Sequence, residues 1–357
     1  MTSAPGTEPN RSPLRALTSA IPQMGLVGVI VFLFVALSIY GHYDAAPGKP
    51  NTFLNATNLV EGIATPMSYY AIMAAGMTMV IVTGGIDISV ASTMALAGFV
   101  TAYVVQSLTP GTSPYVVGFV SLAVPVAVGI LCGAFNGLVI TLLDLHPFIV
   151  TLGTLSIYRG IVNVLPFGTK TLPKGGAKLP EGSLTHLFRT EITFNGSVIR
   201  VMPMVAMLAV IAWAALYLRY TRAGRHIYAI GSNEQAARLC GVPVRWVKLR
   251  IYTICGLLAG LAGLVSLGKF GTTSAGSATG YELSVVAACV VGGASLSGGR
   301  GSAVGALLGT LVLALIENAI NILHWDQEYK KIIVGLAIIT AVAIDRLGDV
   351  FRQRRRG

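Results

Sequence analysis

Apolar residues along this chain gather in runs long enough to cross a hydrocarbon core, which takes about 20 residues of helix. The runs are Met24–Tyr40, Asn58–Thr83 with Pro66 inside it, Val90–Gln106, Tyr115–Leu143, Phe148–Leu165, Val201–Leu218, Ile251–Leu267, Ala303–Leu323 and Ile332–Ile344. A further run, Tyr281–Gly293, has only about two-thirds of the length a crossing needs. The pattern predicts an all-α polytopic membrane protein with about ten transmembrane helices, residues 23–347 forming one membrane domain. Residues 1–22 ahead of it are polar and expected to be disordered, and residues 348–357 behind it form a basic tail.

Two of the runs end alike. After the second comes Gly84-Gly85-Ile86-Asp87-Ile88-Ser89, and after the short one comes Gly292-Gly293-Ala294-Ser295-Leu296-Ser297. The echo marks an internal repeat, and a half-helix ending at a Gly-Gly break inside the membrane accounts for the short run. Interrupted helices at corresponding places in two halves point to a translocation path; the alternative is a pair of ordinary glycine-rich surface loops. Counting runs gives both breaks the same orientation, so either one half-helix is re-entrant or the repeat is not inverted. Gly84, Gly85, Asp87, Ser89, Gly292, Gly293, Ser295 and Ser297 are the path candidates, with Glu282 beside the second half-helix. Asn318 and Asn321, three apart on one helical face, suit either a hydroxylated solute or a neighbouring helix. Glycines at helical intervals, Gly129, Gly133 and Gly137, then Gly256, Gly260 and Gly263, then Gly301, Gly305 and Gly309, predict close approach of helix backbones.

The one long polar interruption with helix signals of its own is Thr221–Arg250. Ser232-Asn233-Glu234-Gln235 has the form of a capping box, with a serine hydroxyl for the third amide and Gln235 to reach back. Ala236, Ala237, Arg238 and Leu239 then suit a helix, Gly241 can supply a left-handed cap, and Pro243 stops continuation. A rigid helix of so few turns has too little apolar face for a core of its own, and it predicts a plug for a partner.

Composition supports the membrane reading: mean hydropathy is +0.73, and 11% of residues are charged, against about 25% in soluble domains. A net charge of +11 would also suit nucleic acid, but the positives sit in the tails and in 221–250. That distribution follows the positive-inside rule. It places both termini and the 221–250 loop in the cytoplasm and residues 166–200 outside, and it sets nucleic acid aside. No cleavable signal peptide is expected, because the first apolar run lies too far in and lacks a small-residue site after it. Cys132, Cys240, Cys255 and Cys289 have no metal-binding spacing and read as packing residues. The stretch Gly263–Phe270 begins like a phosphate-binding loop but ends in Phe where Ser or Thr must hold magnesium. The chain therefore offers no nucleotide site, catalytic constellation or cofactor of its own.

Three stretches together carry a family likeness: TGGIDISVAS (Thr83–Ser92), GRHIYAIGSNEQAARLCGVPV (Gly224–Val244) and GYELSVVAACVVGGASLSGGRG (Gly280–Gly301). The chain resembles the bacterial sugar permeases of ribose, xylose and arabinose ABC importers, from about the second run to the tenth. The resemblance implies a homodimeric inner-membrane subunit with two partners: a cytoplasmic ATP-binding subunit, which holds the ATP and magnesium, and a periplasmic sugar-binding protein. It also implies that Ser232, Asn233, Glu234, Gln235, Ala236, Ala237, Arg238, Leu239 and Gly241 receive the push of ATP-driven closure. The cargo expected is a monosaccharide or polyol, with a nucleoside or a branched-chain amino acid as alternatives. An ion-coupled carrier using Asp87 or Glu282 is the competing class, and it gives the cytoplasmic helix no role. The rather long basic segment 166–200 departs from the family pattern.

Overall fold

The computed structural model describes residues 13–45, 50–108, 111–165, 184–194, 197–274 and 276–354. Helix α1 (Pro13–Asp44) is followed by a π-helical stretch, Asn58–Ala64, that runs straight into α2 (Thr65–Val82). The widened turn ends beside Pro66, which has no N–H to give a regular ladder. Then come α3 (Val90–Gln106), α4 (Pro114–Leu142), α5 (Pro147–Val164) and α6 (Leu184–Phe188). A small hairpin, β1 (Ile192–Phe194) and β2 (Ser197–Ile199), pairs Thr193 with Val198. The remaining helices are α7 (Met202–Tyr220), α8 (Arg222–Ser232), α9 (Glu234–Leu239), α10 (Val244–Phe270), α11 (Tyr281–Val291), α12 (Ala303–Ile322) and α13 (Glu328–Arg354).

The all-α membrane architecture stands. Among the described residues, seven helices are long and apolar enough to cross a membrane: α1 from Gly25, α2 with its π-helical lead, α4, α5, α7, α10 and α12. Ten is reached only by adding α3, the eleven-residue α11 and α13. Helix α1 begins at Pro13, inside the segment expected to be disordered, and α13 continues through the basic tail to Arg354; residues 1–12 and 355–357 lie outside the described residues. In the 166–200 segment, α6 is a short helix of five residues, and residues 166–183 and 195–196 are likewise outside the described residues.

Helix α2 is the hub. It is buried on every side, and its sequence is correspondingly apolar all round rather than striped. Around it pack α10, α7, α12 and α11. The α4, α5 and α7 helices instead turn large side chains such as Phe119, Ile149 and Trp213 outward, as lipid-facing spans do. Two of the glycine ladders meet each other. A Cβ on Gly137 would lie 3.0 Å from the Leu249 Cα, and one on Gly133 would lie 3.0 Å from the Gly256 Cα. The third ladder serves α11: Gly305 and Gly309 of α12 face the Gly292 and Ala288 backbone.

Candidate translocation and coupling site

Helices α2 and α11 end on the same hydrogen-bonded turn. The Gly84 N–H donates to the Ile81 carbonyl at 2.8 Å and the Gly85 N–H to Val80 at 3.1 Å. In α11, the Gly293 N–H donates to Val290 and the Ala294 N–H to Cys289, both at 2.9 Å. Each is a Schellman cap with its glycine in the left-handed region, Gly84 at φ 80° and Gly293 at φ 89°. The structure therefore pairs Gly84 with Gly293, one residue out of the sequence register. The two helices also run in the same direction. Tyr70 meets Tyr281 near their starts, ring centroids 4.6 Å apart, and the Gly299 N–H donates to the Val82 carbonyl, 2.8 Å, at their ends. The repeat joins two parallel half-sites on one side of the molecule.

The first break is fastened by Asp87. One carboxylate oxygen accepts from the Ser89 N–H at 2.9 Å and from the Ser89 hydroxyl at 2.6 Å, and the other accepts from the Asn136 amide at 3.4 Å. Asn136, on α4, also donates to the Ser89 Oγ at 2.8 Å and accepts from the Tyr158 hydroxyl of α5 at 3.3 Å. The Thr151 hydroxyl reaches the Ile86 carbonyl. Asp87 is 2% exposed, so its oxygens face this network. In the second break, Ser295 is buried and its N–H donates to the Arg300 carbonyl, while Ser297 is exposed.

The 221–250 loop holds two helices where one was expected. Thr221 caps α8 by accepting from the Gly224 N–H, and α8 runs on through Ser232, whose hydroxyl donates to the Tyr228 carbonyl. Ser232 is therefore not the cap of the second helix. Asn233 is, accepting from the Ala236 N–H at 2.9 Å from an extended backbone. At the other end Gly241, φ 79°, closes a third Schellman cap through Gly241 N–H to Arg238 and Val242 N–H to Ala237. Glu234 ties α9 to α10, accepting from Lys248 at 2.8 Å and from Arg238 at 2.7 Å. Partial burial raises the Glu234 carboxyl, but these two donors outweigh it and hold it below the usual carboxylate range. Ala237 is buried, Gln235, Ala236 and Arg238 are exposed, and Leu239 is 90% exposed. Helix α8 packs inward with Ile227 and Ile230, and its Tyr228 hydroxyl donates to the Gly301 carbonyl at 2.8 Å.

The other candidates stand at the opposite ends of these helices, away from both breaks. Glu282 opens α11, near Arg159 of α5, which donates to the Ser277 carbonyl. Asn318 and Asn58 exchange amide hydrogen bonds at 2.7 and 3.2 Å, so Asn318 is a buried interhelical pair. Asn321 is exposed at the end of α12 and accepts from Gln327. Between them lies a cluster absent from the sequence candidates. Tyr69 stacks on Tyr281, Lys330 sits 5.2 Å above the Tyr70 ring, and Lys330 pairs with Glu317 at 2.7 Å. It closes the seam between α2, α11, α12 and α13.

The sequence pattern of the branched-chain amino acid transport system / permease component family matches residues 59–342, which includes both breaks and the α8–α9 loop. The chain belongs to that family. It is 35% identical to the ribose import permease protein of Escherichia coli (strain K12) over 324 residues, 90% of this chain and 93% of that protein. It is 34% identical to the ribose import permease protein of Bacillus subtilis (strain 168), over 90% and 93% of the two chains. To the D-allose transport system permease protein of Escherichia coli (strain K12) it is 32% identical, over 90% and 91%. No solved structure matches the chain.

Within this permease fold, sequence reasoning passed over Tyr228, Gly231, Tyr70 and Lys330. A signal for α8 was present: Gly224, Ile227 and Ile230 recur at helical spacing among arginines, the stripe of an amphipathic helix. The stretch Gly263–Phe270 is the last part of α10, continuous helix with no loop to wrap a phosphate.

Proposed function

We propose that this chain is the membrane-spanning permease of an ATP-driven importer that takes a monosaccharide from an external binding protein. The observation that carries the reading is the seat of the α8–α9 loop: α8 touches both breaks while α9 leaves Leu239 exposed. A cytoplasmic ATP-binding subunit holding ATP and magnesium would grip the exposed face of α9. Its closure would move α8 as a rigid body and shift the ends of α2 and α11 together. At the outside, the Tyr70–Glu317–Lys330 cluster would be the contact that parts as the path opens. The family's description names branched-chain amino acids, but the ribose and allose permeases align with nine-tenths of this chain, which favours a sugar cargo.

The test is uptake of labelled ribose, allose or galactose by proteoliposomes holding the permease, its ATP-binding subunit and its binding protein. Uptake should need internal ATP and survive collapse of ion gradients. Leu239→Asp, at an exposed position, should leave the fold intact and lower both subunit capture and uptake. Uptake that dies with the ion gradient, or an unaffected Leu239→Asp, would sink the reading.

A homodimer belongs to the same proposal. Gly153, Ser156, Gly160 and Asn163 lie within one face of α5, with open space beside both glycines. Small and polar residues on an outward face of a span are poor lipid contacts and good helix contacts. Ser156→Cys in native membranes should give an oxidant-dependent band of twice the monomer mass. Its absence across neighbouring positions of this face would remove α5 as the dimer contact.

A further inference from the structure

Resting on the importer reading, we infer that Gly231 is the positioning residue through which the cytoplasmic loop moves both halves of the path at once. It lies one residue before the stretch expected to receive the push, at the last turn of α8. There the α8 backbone enters the point where the two breaks touch. A Cβ on Gly231 would overlap the Val82 carbonyl oxygen, which ends α2, and the Gly299 amide of the second break.

Those two groups are already joined, Gly299 N–H to Val82 carbonyl at 2.8 Å. The last carbonyls of a helix lack partners inside it, and here one half of the repeat supplies what the other half lacks. Gly298, φ 87°, has its Cβ position 2.8 Å from the Gly231 carbonyl oxygen and 3.1 Å from the Gly84 amide. Tyr228, one turn back on α8, anchors to the Gly301 carbonyl. Backbone therefore meets backbone from three segments: the end of α8, the end of α2 and the glycine loop after α11. No flexible side chain lies between them to absorb a displacement, because residue 231 has none. Packed contacts of this kind shift as units. A displacement of α8 must be felt by both breaks or by neither.

Gly231→Ala would wedge α8 away from this junction. The experiment measures sugar imported per ATP hydrolysed in proteoliposomes of the full importer, together with the KM for the sugar-loaded binding protein. A loss of fold alone would lower uptake and hydrolysis in proportion and leave their ratio unchanged. A lost coupling contact should lower the ratio by about 2- to 30-fold with the KM unchanged. Tyr228→Phe, which removes one hydroxyl and no volume, should lower the ratio in the same direction by a smaller factor, and it decides the matter if Gly231→Ala does not accumulate. Wild-type ratios in every variant that accumulates would overturn the role of Gly231. Failure of the wild-type complex to import any sugar with ATP would instead overturn the importer reading beneath it.

Discussion

Gly256→Val should abolish accumulation of folded protein in the membrane. Its added Cβ would strike the Gly129 carbonyl oxygen and lie 2.7 Å from the Cα and N of Gly133. These are backbone atoms of α4, and they cannot rotate away as a side-chain tip can. Nor can the helices part locally, since Gly133 meets the Tyr252 carbonyl oxygen and Gly260 meets that of Pro125 on the same seam. Overpacking costs typically about 1–3 kcal/mol where neighbours can repack; with backbone on both sides the cost rises toward the whole stability of a domain, about 5–15 kcal/mol. Gly28→Val, on α1 with nothing within 4 Å of its Cβ position, is the control and should accumulate normally. Yield after detergent extraction and the midpoint of thermal unfolding read the difference. Equal yield and Tm for the two variants would show that α4 and α10 do not meet through these glycines.

That seam shows where sequence stops informing. Each ladder was legible alone, because glycines at helical spacing promise a close neighbour. Which ladder faces which was not, because the pairing of α4 with α10 is a tertiary choice. The breaks show the same limit at finer grain. Residue identity aligns Gly84 with Gly292, while the structure aligns it with Gly293, because a Schellman cap is placed by where the helix ladder ends. At Ser232 a good motif match lost to a longer helix. The serine hydroxyl serves α8, and Asn233, the next capping residue along, took the role. The three-residue spacing of Asn318 and Asn321 was real, yet Asn318 sits in a buried interhelical pair and Asn321 is exposed at the end of α12, and the two amides have separate partners. Helix α2 was legible as a span but not as the hub, since an all-round apolar sequence carries no stripe to say which neighbours surround it.

Asp87→Ala should loosen the first break from α4 and α5 and cost more than Asp87→Asn at the same place. Alanine leaves the Ser89 N–H, the Ser89 hydroxyl and one Asn136 hydrogen without their acceptor in a buried site. Each such orphan costs about 1–3 kcal/mol, less where the others can re-pair. The Ser89 hydroxyl and Asn136 still have each other, and Tyr158 still holds Asn136, so the network loses its hub rather than all its members. Asparagine keeps one oxygen at the hub, which serves Ser89. The order of Tm should therefore be wild type, then Asp87→Asn, then Asp87→Ala. Transport separates this staple from an ion site at the same carboxylate. If Asp87 fastens the break, Asp87→Asn keeps a substantial share of ATP-driven uptake, and Asp87→Ala loses uptake more than ATP hydrolysis because Val82 and Gly84 shift under Gly231. If Asp87 instead carries a transported proton or sodium, Asp87→Asn is folded, dead in uptake, and indistinguishable from Asp87→Ala in flux. A stable, inactive Asp87→Asn would overturn the fastening role, whereas activity that tracks Tm through the series would confirm it and leave the carboxylate no part in coupling to an ion.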